Sequence, residues 1–449
     1  MTNVIFSFDT EDIVNEIGAD GILMSAHILR EEGLKGCFNI IGLLPEKLVE
    51  WNRFDIINEL KDHHDINYHS HTHSIHPTIN EYTDKENFFE ALDEFVKDES
   101  EGLKKVQSLF GTKGLKAACI PGNSTSYVAH YGYENMGFSF FSGDDIYDKA
   151  SYRPINVCNI ISLHYARSLD GILFEADEEK LKKFIADTAK SKDTVIFYHH
   201  PQRAFCKSFW DADNLYRVNT PKESWKKSEI HNPADTERFY TNFRTLIKLL
   251  KSDPDFNITT YAELDEKLDR AERVITVDDI PSIKAQLDEE LFPVTLPDSY
   301  CISDIFLACK DFILNKGTHT CKKVYGFLSE PYSASKTITV SRKEITDIMS
   351  KIDESSFLPP CFYIEEKKLG PCDVLYASLH FLTSDDEQYT ISPLRHWQID
   401  LNEFPSLRDL NYKGSWLHAD TLEDNYLSDR LRLQSWTIRL PKGSKRKIF

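Results

Sequence analysis

The feature that most constrains this chain is a rhythm over its first 265 residues, in which short apolar runs alternate with amphipathic segments. Residues 3–8, 36–41, 115–120, 138–141, 157–163 and 193–199 are rich in β-branched and aromatic side chains and are short enough to be buried strands. Between them, residues 22–30, 45–60, 85–110, 181–189 and 237–250 carry apolar residues at helical spacing, and Gly33 closes the first of these segments. A strand that is followed by a helix returns parallel to its predecessor, so the pattern predicts a parallel sheet. Such a sheet needs cover on both faces, and curling into a barrel is one of the few ways to supply it.

The polar chemistry stands where these strands end. Residues 3–8 run into Asp9-Thr10-Glu11-Asp12, which places three acids at one strand's C-terminal end. A second strand leads into Tyr68-His69-Ser70-His71-Thr72-His73-Ser74-Ile75-His76-Pro77, a run holding four of the chain's 16 histidines. His69 and His73 stand at i and i+4, so one helical turn would put both rings on the same face, where imidazoles can share a metal ion. A third strand ends in Tyr198-His199-His200-Pro201, and alternation sends its two histidines to opposite faces. In parallel α/β sheets this edge is where ligands bind and where groups from several strands meet.

Taken in order, Phe6-Ser7-Phe8-Asp9-Thr10-Glu11-Asp12, His64-Asp65-Ile66-Asn67-Tyr68-His69-Ser70-His71-Thr72-His73 and Phe197-Tyr198-His199-His200-Pro201 resemble the motifs of the polysaccharide deacetylase family, carbohydrate esterase family 4, in its variant with an Asp-x-Glu-Asp first motif. The resemblance covers about residues 1–265. It implies a distorted seven-stranded (β/α) barrel that hydrolyses the acetamide of an N-acetylated amino sugar or glycan precursor with one divalent metal ion, zinc suiting two histidines and a carboxylate. It also implies Asp9 as general base, Glu11, His69 and His73 as metal ligands with Asp12 as the alternative to Glu11, and His200 as general acid with His199 as its alternative. The backbone N–H of Gly122 would face the oxyanion, and Asn123 in the following polar loop would lie beside the metal.

One position departs from that pattern. The family places Arg-x-Pro at the end of the strand at 115–120, whereas this chain has Cys119-Ile120-Pro121. Without a cation the base would be looser and more basic, unless Arg153 or Arg203 takes the place. Cys119 itself reads as a small buried hydrophobe. Residues 202–232 form a long loop rich in aromatics, among them Phe205, Phe209, Trp210, Tyr216 and Trp225. Part of it is expected to serve as a substrate lid, with Trp210 stacking on a sugar, or else to cover a core.

The chain's 449 residues predict a second domain, and the pattern changes after the charged stretch at 265–279. We expect the barrel over 1–268 and a smaller α+β domain over 280–449. That domain carries a weak repeat in which Asp304, Ala308 and Phe312 recur 69 positions later as Asp373, Ala377 and Phe381. A net charge of -19 argues against nucleic acid and anionic membranes as partners. No apolar run approaches the ~20 residues of a membrane span. The chain opens directly on a strand, and its nine cysteines include no C-x-x-C pair, so reduced thiols and a cytoplasmic location are expected. Two other functions fit the same residues: a silent sugar-binding barrel, consistent with Cys119, and an amidase that needs no metal.

Overall fold

The computed structural model describes residues 1–122, 126–143, 153–190, 192–289, 294–296, 298–393 and 417–442. The chain divides into two compact units. The first holds residues 1–154, 160–267 and 409–427; the second holds 155–159, 268–408 and 428–449.

The first unit is built on a parallel sheet. Its strands are β1 (Thr2–Thr10), β2 (Cys37–Ile40), β3 (Asp65–Tyr68), β4 (Ala117–Cys119), β5 (Phe140–Ser142), β6 (Ile160–Leu163), β7 (Tyr165–Ser168), β8 (Thr194–His199) and β9 (Phe256–Ile258). They lie in the order β6-β5-β4-β3-β2-β1-β8-β7, and β9 pairs with the start of β1. Every one of these pairings is parallel. The strands β6 and β7, which pair with β5 and β8 respectively, are separated in sequence by His164 alone. One extended segment therefore runs beside β5 and then beside β8, which curls the sheet.

Alternation along β1 divides its side chains. Phe6 and Phe8 point outward and pack edge-on against Phe243 of the helix Pro233–Ser252, and Phe8 stacks on Phe38 of β2 at 4.6 Å. Ser7 and Asp9 both meet the Asn39 amide on the other face. The inner face is polar rather than aliphatic: the Tyr261 hydroxyl lies 2.8 Å from Ser142 Oγ, 3.5 Å from Ser7 Oγ and 3.7 Å from Cys119 Sγ.

The helix expected over 85–110 runs Phe88–Phe110, where the Asn87 side chain caps its start and Gly111, at φ 62°, ends it. The single helix expected over 45–60 is instead two, Leu44–Glu50 and Phe54–His63. The break falls at Asn52, whose φ of 56° is left-handed and incompatible with helix. The strand expected over 157–163 is likewise interrupted, because Cys158 and Asn159 both have positive φ.

In the second unit the helices Ile302–Ile313 and Pro371–Thr383 begin alike: the Asp304 carboxylate accepts from the backbone N–H of Cys301, and the Asp373 carboxylate from that of Gly370. The strands Ile338–Ser341 and Gln388–Ile391 pair antiparallel. Among the described residues no helix is long and apolar enough to cross a membrane. All nine cysteines are free.

Candidate metal centre

The C-terminal ends of β1, β3 and β8 bring their polar residues together. Beyond β1, Glu11 is 2% exposed, and its Oε2 lies 2.7 Å from His73 Nε2 and 3.6 Å from His69 Nε2. Ligand atoms from all three side chains fall within 4.8 Å of one another, and this is the only such convergence among the described residues. Ligand atoms around a tetrahedral ion with bonds of ~2.0–2.2 Å stand about 3.3–3.6 Å apart; the His69–Glu11 pair matches that spacing, and the His73–Glu11 pair is closer, at hydrogen-bond distance.

The histidine tautomers also fit a metal. His69 Nδ1 is 2.6 Å from the Cys119 carbonyl, which can only accept, so Nδ1 carries the proton and Nε2 keeps its lone pair. His73 Nδ1 lies 3.0 Å from Asp211 Oδ2 and 3.1 Å from Ser74 Oγ, and Ser74 donates to the same Asp211 oxygen at 2.7 Å. Gln202 Nε2 donates to Glu11 Oε1 at 2.9 Å and turns the other oxygen toward the imidazoles. Burial opposes the charge of Glu11, yet His73 and His200 outweigh it and hold the carboxyl well below its usual range.

His69 and His73 converge without the helical turn that their spacing predicts. Ser70 and His73 are left-handed, with φ of 67° and 58°, and the segment is a loop in which the His73 N–H donates to Ser70 Oγ. The neighbouring histidines point elsewhere, His71 to Asp98 at 3.1 Å and His76 to Glu81 at 2.9 Å.

Asp12 has other work. Its carboxylate accepts from the Val14 and Asn15 N–H groups at 2.8 Å and from Asn15 Nδ2 at 2.9 Å, which ties the turn into the helix Glu16–Glu31. Burial raises its pKa to about 6 despite those bonds.

Asp9 lies beside the cluster, its Oδ1 2.7 Å from Asn39 Nδ2 and 3.2 Å from the Tyr165 hydroxyl, its Oδ2 3.8 Å from His200 Nε2. The two strand-end histidines do face apart. His199 is buried against Phe8 and Phe239, while the His200 ring meets Phe209 edge-on at 4.8 Å. Both Nδ1 atoms are held by Asp170, at 2.8 Å for His199 and 2.6 Å for His200. Burial pulls the His200 pKa down, but Asp170, Glu11 and Asp9 outweigh it and raise it to about 10. For His199 burial prevails, and its pKa is lowered.

Two expectations need correction, and the reading of Cys119 holds. Trp210 is fully buried, with its ring against His73 and Trp225, so it has no face to offer a sugar and instead packs behind the His73 ring. Neither arginine reaches Asp9: Arg153 pairs with Asp193, and Arg203 donates to the Cys206 carbonyl and lies over Phe209. Cys119 is buried, and burial together with the charge of Asp9 pushes its thiol far up, which leaves no thiolate for nucleophilic chemistry. Gly122, at φ 36°, lies three residues beyond β4 with Leu417 packed on it, and Asn123 falls outside the described residues.

No family model and no curated protein matches this chain. Solved structures similar to it include a 4-alpha-glucanotransferase from Thermococcus litoralis, at 13% identity and a TM-score of 0.41 over 59% of this chain and 40% of that one. A candidate polysaccharide deacetylase from Mycobacterium smegmatis aligns at 12% identity and a TM-score of 0.39, over 59% of this chain and 89% of that one. A CE4 family pseudoenzyme from Bacillus anthracis aligns at 10% and 0.32, over 55% and 61%. These likenesses are too distant to carry a functional argument, which rests on the residues alone.

Proposed function

We propose that the chain is a metal-dependent N-deacetylase that hydrolyses the acetamide of an N-acetylated amino sugar or glycan precursor. The observation that carries this reading is the convergence of a buried Glu11, His69 and His73 triad with Asp9 and His200 beside it. Glu11, His69 and His73 would hold the ion, most suitably zinc. When bound, such an ion polarises a carbonyl and lowers the pKa of water toward about 7.

The remaining chemistry belongs to the chain. Asp9 Oδ2 takes a proton from the attacking water. His200, whose Nδ1 is held by Asp170, presents Nε2–H and donates that proton to the departing amine, which is otherwise a poor leaving group. The Gly122 N–H supplies a donor to the oxyanion. We assign the seven-stranded form of the (β/α) barrel to the first unit by counting β6 and β7 as one strand position and leaving β9 outside the ring. The net charge of -19 favours a neutral sugar over nucleic acid, and the free thiols suit a reducing, cytoplasmic compartment.

One observation favours a second reading, a silent sugar-binding barrel: the expected arginine is Cys119. Acetate release from N-acetylglucosamine oligosaccharides separates the two. Turnover by the wild type, lost in Asp9→Asn with metal content unchanged, supports the deacetylase; saturable sugar binding without acetate release supports the silent barrel.

A further inference from the structure

The base lacks its arginine, yet its carboxylate is not without donors. Asn39 stands directly opposite Asp9 in the β1–β2 register, and its Nδ2 reaches both Asp9 Oδ1 and Ser7 Oγ at 2.7 Å. Tyr165 arrives from the far edge of the sheet: β7 pairs with β8, β8 with β1, and the Tyr165 hydroxyl lies 3.2 Å from the same Asp9 Oδ1. Its ring is fixed by stacking on Tyr198 at 4.5 Å and 19°. Both donors therefore end on one carboxylate oxygen, and Oδ2 is left toward His200.

The space beneath Asp9 is already filled. Cys119 is 1% exposed, and its thiol and the hydroxyls of Ser7 and Ser142 all surround the Tyr261 hydroxyl. A guanidinium introduced from position 119 would have to displace that cluster.

We propose that Asn39 and Tyr165 are positioning residues for Asp9, two neutral donors that hold one carboxylate oxygen and free the other to accept a proton, in place of the cation that this chain lacks. The proposal rests on the deacetylase reading. A neutral hydrogen bond fixes the orientation of a carboxylate as a guanidinium does. Burial, with the charge of Asp9, raises the Tyr165 phenol well above its ordinary value, so it remains a donor. No bond is made or broken by either residue.

The test uses Tyr165→Phe, which keeps the ring and its stacking and removes only the hydroxyl. With a chitin tetrasaccharide as substrate, kcat should fall ~10–100-fold, KM should change less than about threefold, and bound metal should be unchanged. An Asn39→Ala variant should show the same split. Wild-type kcat in Tyr165→Phe, or a loss that appears only in KM, overturns the proposal.

A second readout does not depend on activity. Thermal midpoints are compared for wild type, Asp9→Ala, Tyr165→Phe and the double variant. The shift caused by Tyr165→Phe should shrink at least twofold when Asp9 is absent, whereas equal shifts in the two backgrounds overturn the proposal. If the wild type releases no acetate, the deacetylase reading fails, and the thermal cycle alone decides whether Tyr165 holds Asp9.

Discussion

At the scale of single residues the site divides into what spacing reveals and what it hides. Glu11, His69 and His73 stand in short stretches directly after apolar runs, so their meeting was legible in the sequence. Asp170, Asp211, Gln202 and Tyr165 were not, because each touches the site from a separate strand or loop and no spacing rule links them. For Asp170 a signal did exist: Ser168-Leu169-Asp170-Gly171 is another acid just beyond a strand. Asp211 should matter through the metal, since a carboxylate on the far nitrogen of a ligating imidazole fixes its tautomer. Asp211→Asn is expected to weaken zinc affinity ~10–100-fold in a competition titration with a chromogenic chelator, and unchanged affinity would deny it that role. Asp9→Asn should lower acetate release ~100–10,000-fold while the same titration gives wild-type affinity.

At the scale of elements, the strands and most helices followed from periodicity, but the histidine loop did not. Helical spacing suggested a turn of helix, whereas left-handed backbone at Ser70 and His73 folds the segment into a tight loop against the helix Phe88–Phe110. Two glycines permit that approach. The Gly42 N–H donates to the Ser70 carbonyl at 2.9 Å, and a Cβ at Gly102 would stand 2.4 Å from the Tyr68 hydroxyl and 2.8 Å from His71. Gly102→Ala should therefore cost about 1–3 kcal/mol in urea denaturation and reduce metal content as the loop shifts.

The same helix carries Glu99, 1% exposed, which accepts from the Tyr133 hydroxyl at 2.9 Å and the His71 N–H at 3.3 Å. Burial, reinforced by Asp98, raises its pKa from 4.5 to about 7. The folded state then holds a proton that the unfolded state has released, so stability is greatest below about pH 4.5 on this account and falls as pH rises to about 7. Glu99→Gln, which resembles the protonated form, should flatten that decline in thermal midpoint between pH 5 and 8; a decline as steep as the wild type's would assign it to other groups.

At the scale of the whole molecule, the parallel sheet could be inferred from the strand–helix rhythm, because few connections satisfy it. Its curl could not. The curl runs through β6 and β7, which are separated by one residue; β6 carries an apolar run, but β7 is polar at Tyr165, Arg167 and Ser168 and so carries no strand-like signal. The order β7-β8-β1 brings Tyr165 to Asp9, and the parallel order puts the ends of β1 and β3 on the two sides of β2, with β8 on the other flank of β1. The metal centre is thus a property of the assembled sheet rather than of any one motif. The most direct test is the metal content of protein purified without chelator, compared with a His69→Ala, His73→Ala double variant of unchanged circular dichroism. We predict about one zinc-like ion per chain in the wild type and none in the variant. A wild type that holds no ion, even after equilibration with zinc, cobalt or manganese, would contradict the account.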